Sequence, residues 1–261
     1  MRDSNFIKSL ERGLRILEIF GESSGPLTLT EIASLSKLNK TATQRFLHTL
    51  HSLGYLNCNG SKRYSLDVKI LSLGFNFFNS SNLRMLVKPY VDELSSELDK
   101  TVNLAVLDDH DILFLYRKEV RRFLNYDLQA GSKLPPHCTA SGKILLAGLT
   151  DGELKKRIAE MELHQITSKT ITSKKNLWKE IMKTRKRGYS ICDRELSMDL
   201  YSIGVPLIND QRKIIAAMNV SSEVKNKDRQ TQKKIIVKLT ETGELISRIL
   251  GYKGPYPKFL S

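Results

Sequence analysis

Residues 27–66 read LTLTEIASLSKLNKTATQRFLHTLHSLGYLNCNGSKRYSL. Two helical patterns meet at a turn, Ser36-Lys37-Leu38-Asn39, and two short extended runs flank Asn59-Gly60. Thr28 or Thr30 is placed to cap the first helix, whose inner face is Ile32, Ala33 and Leu35. Asn39 is placed to cap the second, which runs from Lys40 to Ser52. Its apolar residues Ala42, Phe46, Leu50 and Leu53 recur at spacings of four, four and three, which gathers them into one stripe. The opposite side carries Lys40, Thr41, Gln44, Arg45 and His48, cations and hydrogen-bonding groups suited to phosphates and base edges. Gly54 ends the helix. Tyr55–Cys58 and Arg63–Leu66 then pair as a hairpin with Lys62 and Arg63 at its tip, where a phosphate backbone would lie. The helix pair alone reads equally well as an amphipathic pair with a solvated face. The basic-tipped hairpin straight after it turns the reading into a winged helix-turn-helix that meets duplex DNA.

Composition agrees without locating the site. The 261 residues hold 42 Lys+Arg against 28 Asp+Glu, a net of +14 that suits a polyanionic partner. Residues 1–76 hold 10 Lys+Arg and 6 Asp+Glu, only +4 of that excess. No apolar run is long enough to span a bilayer, and MRDSNFIKSLERG lacks the apolar stretch of a signal peptide, so a cytoplasmic protein is expected. Cys58, Cys138 and Cys192 are odd in number and widely spaced, which suggests neither a disulfide framework nor a metal site.

Upstream, Ser9–Phe20 reads as a helix with Leu10, Leu14, Leu17 and Phe20 down one side, packing on the second helix. Downstream, Val68–Phe78 is apolar nearly all round and reads as a connector that meets a second subunit. Asn79-Ser80-Ser81-Asn82 marks the boundary. A helix from Leu83 to Leu98 follows, then strands Val102–Leu107 and Ile112–Tyr116 about a turn at Asp108–Asp111, and a strand Phe123–Leu128. The His110 turn with its acidic neighbours has no metal-ligand spacing and reads as solvated.

Residues 134–143, LPPHCTASGK, form the second informative stretch. Two prolines enforce an extended entry, and Thr139 is placed to cap a helix whose first N–H groups, at Ala140, Ser141 and Gly142, offer an anion seat. His137 and Cys138 are adjacent in an extended segment and point to opposite sides, so they do not make a thiol–base pair. Thr150 and Glu153 make a capping box, and a helix Lys174–Arg187 closes at Gly188, its basic end a solvated complement to the helix dipole. Strands Tyr189–Cys192, Ser202–Leu207 and Ile214–Ser221 precede a closing helix Gln230–Leu250 and a tail. Small and polar Ala217, Asn219 and Ser221 alternate on one strand face, as they would beside a polar cavity. About six strands with flanking helices make this half α+β rather than parallel α/β. No Gly-rich phosphate loop, HExxH or nucleophile elbow is present.

In order and spacing, residues 27–56, KRYSLDVKILSLG, LPPHCTASGKILLA and GYSICDRELSMDLYSIGVPL make the chain similar to an IclR-type transcriptional regulator. QRFLHTL, LPPHCTASGK and DRELSMDLYSIGVP lean toward the subgroup resembling protocatechuate and 4-hydroxybenzoate regulators. The resemblance implies an α+β protein with a winged helix-turn-helix at 1–66, a dimerising linker helix at 67–82, a GAF-like effector domain with an antiparallel sheet at 83–252, and a tail at 253–261. It implies DNA contacts at Lys40, Thr41, Thr43, Gln44 and Arg45, beside the wing's Lys62 and Arg63. It implies an effector pocket at Leu134, Ala140, Ser141, Asp193, Ser202, Asn219 and Ser221, with His137 as neighbour and Gly142 at the helix mouth. Asp193 beside a carboxylate ligand implies a hydroxylated acid. Lys37 stands where many helix-turn-helix proteins carry Gly, and Asn39 is the residue expected to absorb the strain there.

The resulting expectation is a sequence-specific DNA-binding regulator tuned by a small organic acid, aromatic or hydroxylated. Its partners would be a double-stranded operator, that acid, and its own copies as a homodimer or dimer of dimers, with no cofactor, metal, catalytic residue or membrane. The competing class is an enzyme acting on small carboxylic acids, its winged helix kept for protein contacts; no complete nucleophile–base or metal set supports it. An RNA-binding reading lacks aromatic stacking platforms.

Overall fold

The computed structural model describes residues 6–23, 25–72, 82–120, 128–226 and 228–256. Residues 1–80 and 81–261 form separate compact units. The linker helix expected beyond residue 72, all of the 79–82 boundary but Asn82, all but the end of the Phe123–Leu128 strand and the last five residues lie outside the described residues.

The N-terminal unit runs α1 (Lys8–Glu22), β1 (Leu27–Thr28), α2 (Leu29–Ser36), α3 (Lys40–Ser52), β2 (Leu56–Cys58) and β3 (Arg63–Leu66). Thr28, rather than Thr30, caps α2 in a complete capping box with Glu31. Lys37, and not Asn39, takes the left-handed turn conformation at φ 55°, leaving Asn39 extended so that its Oδ1 accepts from Ala42 N at 2.8 Å and caps α3. The wing gains a third strand: β3 lies between β1 and β2, all antiparallel.

The core differs from the sequence reading by one helical position. Ile16 and Phe20 of α1, Ile32 of α2, Leu47 and Leu50 of α3 and Leu56 of β2 form it. Leu10, Leu14, Leu35 and Leu53, expected inside, are each more than half exposed. In α3 the buried stripe is Thr43, Leu47 and Leu50, spaced i, i+4, i+7, and Ala42 and Phe46 flank it. A leucine count overestimates the inner face, because three helices crossing one small core bury only the residues nearest the crossing.

The C-terminal unit is an antiparallel sheet with helices on both faces. Its elements are α4 (Asn82–Leu98), β4 (Thr101–Asp108), β5 (Asp111–Lys118), β6 (Lys133–Leu134), a 3₁₀ turn (Pro136–Cys138), α5 (Ala140–Ala147), α6 (Asp151–Glu160), α7 (Lys174–Arg187), β7 (Ser190–Asp193), β8 (Leu200–Ile208), β9 (Ile214–Glu223) and α8 (Arg229–Ile249). The strand order is β6-β5-β4-β9-β8-β7, each pair antiparallel. On one face α4 and α8 bury Val87, Val91, Ile235 and Leu239 against Leu104, Ile203, Val205 and Val220. On the other lies α5, buried along its whole length, with α6 and α7 outside it packing Leu154, Ile158, Leu177 and Ile181 on Leu146 and Ala147.

Two further expectations need correction. Arg185, in the basic end of α7, is not simply solvated: its Nε donates to the Ala147 carbonyl at 2.9 Å and its Nη1 pairs with Asp151 at 2.6 Å. The described start of the tail is packed, with the Tyr256 hydroxyl donating to the Pro206 carbonyl at 2.7 Å.

Candidate nucleic-acid interface and ligand cavity

In the N-terminal unit α3 presents Lys40, Thr41, Gln44, Arg45, His48 and Thr49 to solvent, and five of these, all but Lys40, line one shallow concavity. No acidic residue occurs in α3. Thr43 is not part of this surface. It is fully buried, and its Oγ1 donates to the Asn39 carbonyl at 3.0 Å. The burial stripe passes through position 43, so Thr43 is a core residue of the turn. Lys62 is exposed at the hairpin tip with φ 56°. Arg63 is engaged elsewhere: its Nη1 donates to the Pro26 carbonyl at 3.0 Å and lies 3.8 Å from Glu31. It braces β3 against the start of α2, and the tip keeps one cation, Lys62.

In the C-terminal unit a narrow cavity, partly open to solvent, lies between the sheet and the start of α5. Cross-strand register explains its polar floor. Ser190, Gly204, Asn219, Asn103 and Arg117 stand side by side on neighbouring strands. Two residues along, Cys192, Ser202, Ser221 and Thr101 form a parallel row on the same face. Gly204 lets α5 approach: a Cβ there would lie 3.1 Å from the Ala140 carbonyl oxygen and 2.8 Å from Ser190 Oγ.

Of the nine residues expected at the effector site, Leu134, Ala140, Ser141, Ser202, Asn219 and Ser221 line this cavity. His137, Gly142 and Asp193 do not. His137 is fully buried, its Nε2 bonded to the His164 carbonyl at 3.1 Å. Since a carbonyl only accepts, Nε2 carries the proton, and Nδ1 has no partner among the described residues. Burial holds this imidazole's pKa below its ordinary value, outweighing the opposing effect of that bond. Gly142 is packed against backbone, where a Cβ would come 2.3 Å from Pro136 Cα. Its N–H is already donated to Thr139 Oγ1 at 3.1 Å, so the anion seat at the start of α5 has two N–H groups left, not three.

Asp193 is excluded by parity. It pairs with Tyr201, one residue from Ser202, and therefore lies on the opposite face of the sheet. Tyr201 packs there with Ile203 and Val205, and its hydroxyl donates to Gln232 of α8 at 3.2 Å. The expected contact between Asp193 and a ligand hydroxyl has no geometric basis.

The cavity also holds residues that sequence reasoning missed. Phe114, Ile112, Leu196 and Leu200 form an apolar wall, and Asn103 and Arg117 extend the polar floor. Arg117 is 5% exposed and organises that floor. Guanidinium only donates, so Nη1 at 2.7 Å fixes Oδ1 of Asn103 toward it. Asn103 must then turn its Nδ2 to Asn219 Oδ1 and Ser221 Oγ, each at 3.3 Å. Asn219 Oδ1 also accepts from Ser141 Oγ at 2.8 Å, while its Nδ2 donates to Ser221 Oγ at 3.0 Å. One arginine thus sets the direction of a bond network running from β5 across β4 and β9 to α5. Arg117 Nη2 pairs with Glu119 at 2.8 Å, and its buried Nε has no acceptor among the described residues. An unmet buried donor costs about 1–3 kcal/mol, a deficit that an arriving acceptor relieves. An arginine at the strand position facing Asn103 was the available signal, but pairing register is what makes it visible.

The two thiols beside α5 are inert. Burial pushes Cys192 up to about 12 and raises Cys138 further, and Cys192 Sγ donates to the Cys138 carbonyl at 2.9 Å. Among the described residues no group of three or more His, Cys, Asp or Glu is placed to hold a metal ion, and no helix is long and apolar enough to cross a membrane.

The IclR helix-turn-helix domain family matches residues 9–58, and the bacterial transcriptional regulator IclR C-terminal family matches residues 75–248. The Pca regulon regulatory protein of Pseudomonas putida is 36% identical over 223 residues, 85% of this chain and 76% of that protein. The crystal structure of a transcriptional regulator from Rhodococcus sp. RHA1 superposes with a TM-score of 0.77 at 28% identity, covering 94% of this chain and 98% of that one. An IclR homologue of Microbacterium hydrocarbonoxydans, crystallised with 4-hydroxybenzoate, shares the fold at a TM-score of 0.76 and 20% identity, over 93% of this chain and all of that one.

Proposed function

Because the chain belongs to the IclR family of DNA-binding transcriptional regulators, we propose that it reads a duplex operator through α3 and that a small organic acid in the C-terminal cavity tunes the binding. Lys40 and Lys62 contact phosphates and set the register, while Gln44 and Arg45 read base edges. The protein acts in the cytoplasm as a homodimer or dimer of dimers, joined through the linker region at 67–82. Two α3 helices about 34–36 Å apart then meet successive major grooves of a palindromic site.

The observation that carries the ligand half is the cavity's composition, an apolar wall with Phe114 facing a buried polar floor that holds one cation among the described residues. That pattern suits an acid with a ring or short carbon frame and an oxygen substituent. The aromatic-acid relatives favour the same class: one is a p-hydroxybenzoate hydroxylase transcriptional activator, 28% identical over 228 residues. Gel-shift titration of the full chain on DNA from upstream of its own coding region, with and without 4-hydroxybenzoate, protocatechuate and pyruvate, tests both halves. The expected result is a complex competed by the same unlabelled DNA and not by an unrelated duplex, with an affinity that one of the acids changes. Equal competition by both duplexes removes the operator reading. A complex indifferent to every acid that binds the protein removes the tuning.

A further inference from the structure

Resting on that reading of the cavity, we propose that Arg117 is the cationic seat for the ligand's carboxylate and so sets the site's preference for acids over neutral molecules of the same shape. Three observations converge on it. Arg117 is the cationic side chain lining the cavity, and its 5% exposure means that its charge has been removed from bulk solvent. Its guanidinium has five N–H donors, of which one on Nη1 is given to Asn103 and one on Nη2 to Glu119. The Nε–H is buried and has no acceptor among the described residues.

Every other polar group on the floor is satisfied internally or is a neutral hydroxyl. Asn103, Asn219, Ser141 and Ser221 already bond one another. Beside the two uncharged N–H groups at the start of α5, an arriving anionic oxygen therefore has, among the described residues, one charged donor to complete, Arg117. Charge-assisted bonds to guanidinium are about twice as strong as neutral ones, and the planar fork matches a carboxylate. Glu119 is the competing charge. It is 39% exposed, so solvent screens it, whereas a carboxylate inside the cavity meets Arg117 with little screening. The two N–H groups left at the start of α5 carry no net charge, and in this assignment they serve the ligand's neutral oxygen. Asn103 positions Arg117, and the relay through Asn219 to Ser141 links the carboxylate end of the cavity to α5.

The test compares each acid with its primary amide, which keeps shape and polarity but not charge. Calorimetric titration of the full-length protein uses 4-hydroxybenzoate, protocatechuate and pyruvate, each beside its amide. Wild type is expected to favour a bound acid by on the order of tenfold to a hundredfold. R117M should bring that ratio near one with amide binding retained, and R117K should keep an intermediate ratio, since it holds the charge but loses the fork. Circular dichroism and the retained amide binding confirm that the variants are folded. Equal wild-type affinity for acid and amide overturns the proposal, because water or a neutral group then suffices at Nε. Acid preference undiminished in R117M also overturns it and moves the carboxylate to the start of α5, leaving the effector reading intact. No binding of any acid to wild type removes both.

Discussion

Lys143 and Glu195 form an ion pair, Nζ to Oε1 2.5 Å, with 1% and 9% of their side chains exposed. Lys143 follows Gly142 on α5, and Glu195 lies two residues beyond β7, so the pair fastens the helix beside the cavity to the sheet edge. The ammonium also donates to the Ile191 carbonyl at 2.9 Å, while Glu195 Oε2 has no partner among the described residues. Burial raises the Glu195 carboxyl above its ordinary value, more than Lys143 lowers it.

Lys143→Met strands that carboxylate and should cost about 3–5 kcal/mol in urea unfolding, whereas the Lys143→Met, Glu195→Leu double variant should regain most of the loss. A single variant as stable as the double one would show that the charge has reached water. The raised carboxyl also sets a pH sign. Its contribution is present at low pH and is lost as pH rises from 4.5 through the higher folded value. Glu195→Gln should therefore gain on wild type as pH climbs through that window.

His137 titrates with the opposite sign. Its folded pKa is depressed below 6.5 by burial, so the folded state binds fewer protons than the unfolded one. Its contribution is intact above pH 6.5 and is lost as pH falls through the folded value. Melting temperatures of wild type and His137→Gln, taken from pH 7.5 to 5, should converge toward the acid end. A constant gap across that range would contradict the depressed value.

Adjacent positions on α3 should separate by role. Arg45→Ala should cost roughly 1–3 kcal/mol on the specific operator and relax base preference if Arg45 reads a base edge. Thr43→Val should leave operator affinity unchanged and act on stability alone, because that side chain is sealed in the core. Anisotropy titrations on operator and scrambled duplexes resolve the two. An affinity loss for Thr43→Val at unchanged melting temperature would reopen its role as a contact.

Gly142→Ala drives a methyl carbon to within 2.3 Å of the Pro136 Cα and carbonyl oxygen, both backbone atoms. The 3₁₀ turn must move, at about 1–3 kcal/mol or more in denaturant unfolding. Wild-type stability in this variant would mean that the turn yields freely.

Much of the fold was legible along the chain, because local signals report local structure. Thr150-x-x-Glu153, Asn39, Thr139 and Gly188 each cap the helix that their spacing announces, and of the two threonines offered for α2 Thr28 is the cap. Alternation on β9 announced a polar face, and the IclR resemblance named six of the residues that line the cavity. The errors were rotations. One helical step sealed Thr43 and exposed Leu10, Leu14 and Leu35.

By itself, then, the order of residues determined most of the described elements and their caps, properties of neighbours a few positions apart, and the family, through the order and spacing of its motifs. Only tertiary pairing decided which side chains share the cavity. Strand register puts Arg117 beside Asn103, 14 residues away along the chain and joined to it by a 2.7 Å bond, and turns Asp193 to the back of the sheet through its pairing with Tyr201. Side chains alternate faces with every residue of a strand, so a shift of one position moves a group from the site to the core. No local pattern carries that parity; it is set where the strands meet.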